Sequence, residues 1–153
     1  MRDRFDTALL QLVQRDSGLT AEEMANEVAL SPSAIARRLR RLRADGVIAR
    51  SIALLGDALT RERLRALVMV QLNEHADRAG KAAVLNRLAA AECVQFVYEV
   101  SGEHDFAMLF DCRSMDEFVT RAEELLGEDP SVRRYESSIV KRTWKFAPFV
   151  RLE

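Results

Sequence analysis

The stretch Leu30-Ser31-Pro32-Ser33-Ala34-Ile35-Ala36-Arg37-Arg38-Leu39-Arg40-Arg41-Leu42-Arg43-Ala44-Asp45-Gly46 decides how this chain is read. It carries its own start and stop signals. Ser31 is an N-cap residue, and Pro32 occupies the first helical position, where its missing N–H costs nothing. Asp45-Gly46 ends the run, because glycine accepts the left-handed backbone that closes a helix. At about 100° per residue, Ile35, Leu39 and Leu42 fall within about 60° of one another and face a core. Arg37 and Arg41 lie roughly opposite, joined by Ser33, Ala34 and Arg40, while Arg38 and Arg43 flank the apolar stripe. The outer face offers donors for base edges and phosphates, with small residues that permit close approach. Solvation is the ordinary reading of an arginine run that stands alone. This one does not stand alone.

Upstream, Thr20-Ala21-Glu22-Glu23 is a capping box that opens a helix whose stripe is Met24, Ala25 and Val28. Before it, Phe5, Leu9, Leu10, Leu12 and Val13 recur at helical spacing and predict a helix over about residues 3–16. Two short helices, a tight turn and a basic third helix make a helix-turn-helix. Downstream, Val47 to Leu55 reads as extended chain turned by Gly56-Asp57, the pattern of a wing, and a connector follows to Arg63. Charge agrees with this placement. The net charge of -1 says nothing about nucleic acid. Between Ser31 and Arg50, however, six arginines oppose the single acid Asp45, so this segment carries +5 and the remainder -6. Such concentration is the footprint of phosphate binding.

The second half changes period. Leu64 to Leu72 predicts a strand with Ala66, Val68, Val70 and Leu72 on one face and Leu67 and Met69 on the other. Residues 76–91 predict a helix with Val84, Leu85 and Leu88 inward. Val94, Phe96, Tyr98 and Val100 alternate, and after Ser101-Gly102-Glu103-His104 the alternation resumes at Phe106, Met108 and Phe110, a hairpin. Ser114-Met115-Asp116-Glu117 reads as a second capping box. It opens a helix with Phe118, Ala122 and Leu125 inward, broken by Pro130, and Val132 to Trp144 predicts a long last strand. The order βαββαβ is ferredoxin-like. The expected class is therefore α+β: a winged helix-turn-helix over 1–56, a connector over 57–63 and a ferredoxin-like domain over 64–153. Both helices cover one sheet face. The other remains partly apolar and needs a cover, which argues for a dimer.

Composition removes several classes. With 48% hydrophobic and 31% charged residues the chain folds. It has no apolar run of membrane-span length. Its charged beginning, Met1-Arg2-Asp3-Arg4, does not read as a secretory signal, so the protein is expected in the cytoplasm. Cys93, Cys112, His75 and His104 form no CxxC or HxxxH spacing, so no metal is expected. Reduced, packed thiols are the plain reading of the two cysteines, with a bridge across the hairpin as the alternative. There is no serine–histidine–acid set, P-loop or metal cluster. No catalytic residue and no cofactor are expected.

At this point the chain resembles the Lrp/AsnC family, the leucine-responsive and asparagine-responsive feast/famine regulators, over about 145 residues (motif order rather than any one motif carrying the weight). The motifs are Phe5-Asp6-Thr7-Ala8-Leu9-Leu10, Leu30-Ser31-Pro32-Ser33, Arg40-Arg41-Leu42 with Asp45-Gly46-Val47-Ile48, and Ala53-Leu54-Leu55-Gly56. Further on come Val100-Ser101-Gly102-Glu103-His104-Asp105 and Ser138-Ile139-Val140. The resemblance implies a transcription factor that binds double-stranded promoter DNA. It implies homodimers joined sheet to sheet, gathered further into an assembly such as an octamer. It also implies an amino acid or related metabolite bound between dimers at the hairpin loop, where Gly102 and Asp105 match the family's Gly-x-x-Asp. Ala29 stands where these proteins usually have a turn glycine, Met108 where leucine is common, and His104 where an aromatic is usual.

The candidate DNA residues are Ser31, Ser33, Ala34, Arg37, Arg38, Arg40, Arg41 and Arg43. Ser33, Ala34, Arg37 and Arg38 are expected at base edges, and Arg41 and Arg43 at phosphates. The candidate effector residues are Ser101, Gly102, Glu103, His104 and Asp105. An amino acid offers an ammonium for Asp105 and a carboxylate for backbone N–H groups exposed at Gly102. The rival is that Gly102 and Asp105 only make the turn. Two other functions compete with regulation. Siroheme decarboxylases resemble this architecture, but a tetrapyrrole with many carboxylates needs a basic, histidine-bearing cavity. Residues 61–153 hold 14 basic against 16 acidic residues. An interaction module with a silent helix-turn-helix is the second rival, and the retained Arg37 and Arg41 oppose it.

Overall fold

The computed structural model describes residues 3–73 and 78–152 and divides the chain into two compact units. His75 and the predicted helix start at residue 76 lie outside the described residues. The first unit runs to Leu54 and takes in the chain from Lys145 onward; the second is Leu55–Trp144.

In the first unit α1 spans Arg4–Val13, α2 Ala21–Ala25 and α3 Pro32–Ala44. Each has the cap its sequence announces. Asp3 accepts from the N–H groups of Phe5 and Asp6 at 3.0 and 2.9 Å. Thr20 and Glu23 form the reciprocal box, at 3.2 Å from Glu23 N to Thr20 Oγ1 and 2.7 Å from Thr20 N to Glu23 Oε2. Ser31 Oγ accepts from Ala34 N at 3.3 Å. Gly46, with φ of +71°, supplies the left-handed step after α3. The core between the helices is Leu9, Leu10, Val13, Met24, Val28, Ile35, Leu39 and Leu42. Ala29 causes no strain, because no described residue other than glycine has positive φ.

The predicted wing differs. Residues 47–48 bend back on α3, with Ile48 N donating to Leu42 O at 3.1 Å, residues 49–55 belong to no helix or strand, and Gly56-Asp57 opens a short helix, α4 (Asp57–Thr60), instead of a turn. A lone extended segment has unpaired backbone groups on both edges, so it counts as a strand only once a neighbour pairs with it.

The second unit is an antiparallel sheet of β1 (Leu64–Leu72), β2 (Val94–Glu99), β3 (Phe106–Cys112) and β4 (Val132–Ile139), in the order β2-β3-β1-β4. Helices α5 (Arg78–Ala90) and α6 (Met115–Ala122) follow β1 and β3, and a π-helical turn, Glu123–Gly127, extends α6. Ala66, Val68 and Val70 of β1 and Phe106, Met108, Phe110 and Cys112 of β3 are fully buried with Val84, Leu88, Phe118 and Leu126. Phe110 meets Phe118 edge to face at 5.5 Å.

Two details depart from expectation. Glu117 does not return to the Ser114 N–H; its carboxylate accepts from Arg113 N at 2.7 Å and holds that residue's guanidinium. The last strand ends at Ile139, five residues before the expected Trp144. Ile139 pairs with Ala66, and Val140 N still donates to Arg65 O at 2.8 Å, but β1 begins at Leu64. A strand cannot outlast its neighbour, so the chain leaves the sheet and its last residues join the first unit instead of the 64–153 domain. The opposite sheet face carries Phe96, Tyr98, Ala107, Leu109, Leu67 and Met69, with Glu136 and Ser138 on the β4 side.

Candidate DNA interface and effector loop

On α3, Ile35, Leu39 and Leu42 are buried as the periodicity requires, while Ser31, Ser33, Arg37, Arg40, Arg41 and Arg43 are exposed and Ala34 is half-buried. The arginines then divide in a way the helical wheel does not reveal. Asp6, on the first turn of α1, is 1% exposed and is the buried acid of this unit among the described residues. Its two oxygens take Arg38 Nη1 at 2.8 Å and Arg41 Nη2 at 2.6 Å. Asp3 takes Arg38 Nη1 as well, at 2.8 Å, and the Arg38 guanidinium carbon lies 5.6 Å from the centre of the Phe5 ring. Arg37, Arg40 and Arg43 make no ion pair or hydrogen bond with the described residues.

The electrostatics follow from these contacts. The Asp6 N–H above all, together with the Arg38 guanidinium, holds the Asp3 carboxyl below its ordinary range against a desolvation cost. Hydrogen bonds to Asp6 first and Asp3 second push Arg38 up. Arg38 is thus a fixed cation clamping α3 to α1, and Arg41, half exposed, is anchored at one end. Asp3 and Asp6 were absent from the candidate residues. Their signal in the sequence is two acids three apart, one capping a helix and one in its first turn, set against two arginines three apart on another helix.

The hairpin loop has a similar division of labour. Gly102 has φ of +128°, a conformation side-chain-bearing residues rarely adopt. Asp105 closes the loop. Its N–H donates to Val70 O at 2.8 Å, its carbonyl accepts from Val100 N at 2.9 Å, and its Oδ2 accepts from Leu72 N at 2.8 Å. Its carboxylate therefore finishes the end of β1. Ser101, Gly102 and Glu103 are exposed, and Glu103 pairs with Arg134 at 2.8 Å. His104 is largely covered; its Nε2 is buried without a hydrogen-bond partner and stands 3.8 Å from Glu136 Oε2. Charged groups of β4 thus meet the loop, a feature the hairpin sequence alone does not contain.

Cys93 and Cys112 are free and pack in one cluster, and burial pushes both thiols up. A concavity of about 390 Å³ lined by Arg63, Cys93, Asp111, Glu117 and Arg121 includes none of residues 101–105. Among the described residues no group of histidine, cysteine and acid could hold a metal ion, and no helix is long and apolar enough to cross a membrane.

Comparison with known proteins meets this geometry from another direction. Residues 2–49 match the winged helix-turn-helix DNA-binding family, and residues 65–148 match the Lrp/AsnC ligand binding domain. The chain is 33% identical, over 90% of its length and 81% of the relative's, to the HTH-type transcriptional regulator y4tD of Sinorhizobium fredii. It is 28% identical over the whole length of both chains to the DNA-binding transcriptional activator DecR of Escherichia coli. The crystal structure of the regulator NMB0573 of Neisseria meningitidis, a complex with L-methionine, has the same fold, with a TM-score of 0.87 at 24% identity over 99% of this chain and 97% of that one. With its capped, arginine-faced third helix and its ferredoxin-like effector-binding unit, this chain is a transcriptional regulator and belongs to the Lrp/AsnC family.

Proposed function

We propose that the regulator reads double-stranded DNA through the exposed face of α3, with the roles of its arginines split by their internal contacts. Ser33, Ala34 and Arg37 approach base edges, Arg40 and Arg43 neutralise phosphates, and Ser31 holds the helix start. Arg38 and Arg41 position the helix through Asp6, which moves Arg38 away from the base-reading role its place on the wheel suggested. The observation that carries this reading is the set of three exposed arginines on α3 without a partner among the described residues. An unpaired guanidinium is free for a phosphate or a guanine edge, whereas one bound to a buried carboxylate must first give that up.

The second unit pairs sheet to sheet into a homodimer, and dimers assemble further, as in an octamer. The half-apolar face of Leu67, Met69, Leu109 and Tyr98 supports this, being too apolar for solvent. An amino acid or related metabolite binds at Ser101–Asp105 between dimers; the Neisseria regulator of the same fold forms a complex with an amino acid, L-methionine. The protein works in the cytoplasm and has no catalytic function.

The test is binding of the full chain to a duplex carrying the region upstream of its own gene, across a salt series. Arg37→Ala should cost about 1–3 kcal/mol and relax base preference, and Arg40→Ala should lower the salt slope by about one. Arg38→Met should leave the slope unchanged. An Arg37→Ala Arg40→Ala protein that binds at full strength would remove α3 from the interface.

A further inference from the structure

After Trp144 the chain returns to the DNA-binding unit and lies along α1 as a segment with neither helix nor strand. Gln14, which caps the end of α1, treats it as a strand would. Its Oε1 accepts from Val150 N at 2.8 Å and its Nε2 donates to Val150 O at 3.2 Å. Gln11, one turn earlier, donates from Nε2 to Leu152 O at 2.9 Å. Leu152 packs against the core of the helix-turn-helix, and Phe149 has the Arg15 guanidinium carbon 5.8 Å from its ring centre. Pro148, Val150 and Leu152, with Leu10, Val13 and Gln14 of α1 and with residues 47–54, line a groove of about 670 Å³.

We infer that this face of α1 is a docking site for an extended peptide, that its occupant is the chain's own segment Lys145–Leu152, and that docking is needed for full DNA affinity. The chemistry is that of backbone recognition with one apolar anchor: carboxamides read the main chain, and Leu152 supplies the side chain that seats it. The segment and residues 47–54, which have no strand partner among the described residues, line the same groove, so the segment supplies part of the cover a wing would give. It also brings Lys145 and Arg151, and no acid between them, into a unit whose partner is a polyanion. Exposed carboxamide bonds are individually weak, so the seat is reversible. The segment follows β4 after residues 140–144. It is therefore a second covalent connection between the two units, besides that at Leu54–Leu55. The last clause of the proposal rests on the DNA reading above; the docking itself does not.

The experiment keeps the full chain and changes one residue on each side of the contact, Gln14→Ala and Leu152→Asp, with Leu152→Met as the conservative control. It measures trypsin cleavage after Lys145, hydrogen exchange along α1, and affinity for the upstream duplex. Docking predicts that both disruptive variants are cleaved roughly tenfold faster, about 1.4 kcal/mol of lost protection. They should also bind the duplex several-fold more weakly, while Leu152→Met behaves as the parent. If Leu152→Asp unfolds, Gln14→Ala, a change at the helix surface, still decides. A parent chain cleaved at Lys145 as fast as the variants overturns docking. Faster cleavage with unchanged affinity overturns its role in DNA binding. A parent whose tail is protected but which ignores the duplex places the failure in the DNA reading instead.

Discussion

Asp6 is the residue on which the DNA-binding unit turns. A carboxylate 1% exposed has lost most of its hydration. Two guanidiniums and the positive end of α1 replace that hydration. Asp6→Asn keeps the volume but leaves Arg38 and Arg41 facing a neutral amide. We expect a loss of about 3 kcal/mol in urea unfolding; a loss within experimental scatter would mean that the bridges carry no weight. Asp105 is the corresponding residue of the second unit. The sequence offers it as an ammonium partner or a turn residue, yet its carboxylate also accepts from Leu72 N. Asp105→Ala therefore orphans a strand N–H and should cost about 1–3 kcal/mol. Asp105→Asn retains an acceptor and removes only the charge. An amino-acid thermal-shift response that survives Asp105→Asn places the ammonium partner elsewhere, with Glu103 of the loop and Glu136 of β4, which stands 3.8 Å from His104, as the acids to change next.

At the scale of elements, caps and turns decide where structure starts and how it answers to pH. Asp3 is held down chiefly by the Asp6 N–H and then by Arg38, and Glu23 by the backbone N–H and hydroxyl of Thr20. A carboxyl whose folded pKa is depressed stabilises fully above its unfolded value and loses that contribution as pH falls through the folded one. The ordinary values are 3.8 and 4.5, so α1 and α2 should hold at pH 5 and loosen below about pH 4. Hydrogen exchange of the two helices against pH measures this, and Asp3→Asn should flatten the response at α1; an unaltered profile would discount the cap. The hairpin tip makes a separate prediction. A Cβ at Gly102 meets nothing within 4 Å, so Gly102→Ala is opposed only by a backbone at φ of +128°. The cost should be about 1–3 kcal/mol, without steric damage to neighbouring residues.

For the whole molecule, the unpaired sheet face predicts assembly. Leu67→Glu with Leu109→Glu places two carboxylates in that apolar face, and sedimentation should then find monomers where the parent is at least dimeric; a monomeric parent would dispose of the sheet-to-sheet pairing. The helix-turn-helix and the ferredoxin-like order were legible in the chain because their signals are local. Ser31-Pro32 starts α3, Asp45-Gly46 stops it, and the alternation of β1 and β3 sorts inward from outward residues with no knowledge of neighbours. The arginine roles, the end of β4 and the seat of the last residues were not legible, for one shared physical reason. Each depends on a partner far away in sequence: Asp6 for Arg38 and Arg41, β1 for the length of β4, Gln14 for Val150. Periodicity and capping residues report what a segment wants of its own backbone. Which charge is neutralised, which strand runs out of neighbour and which peptide is held are settled only when tertiary structure brings the second group within hydrogen-bonding distance.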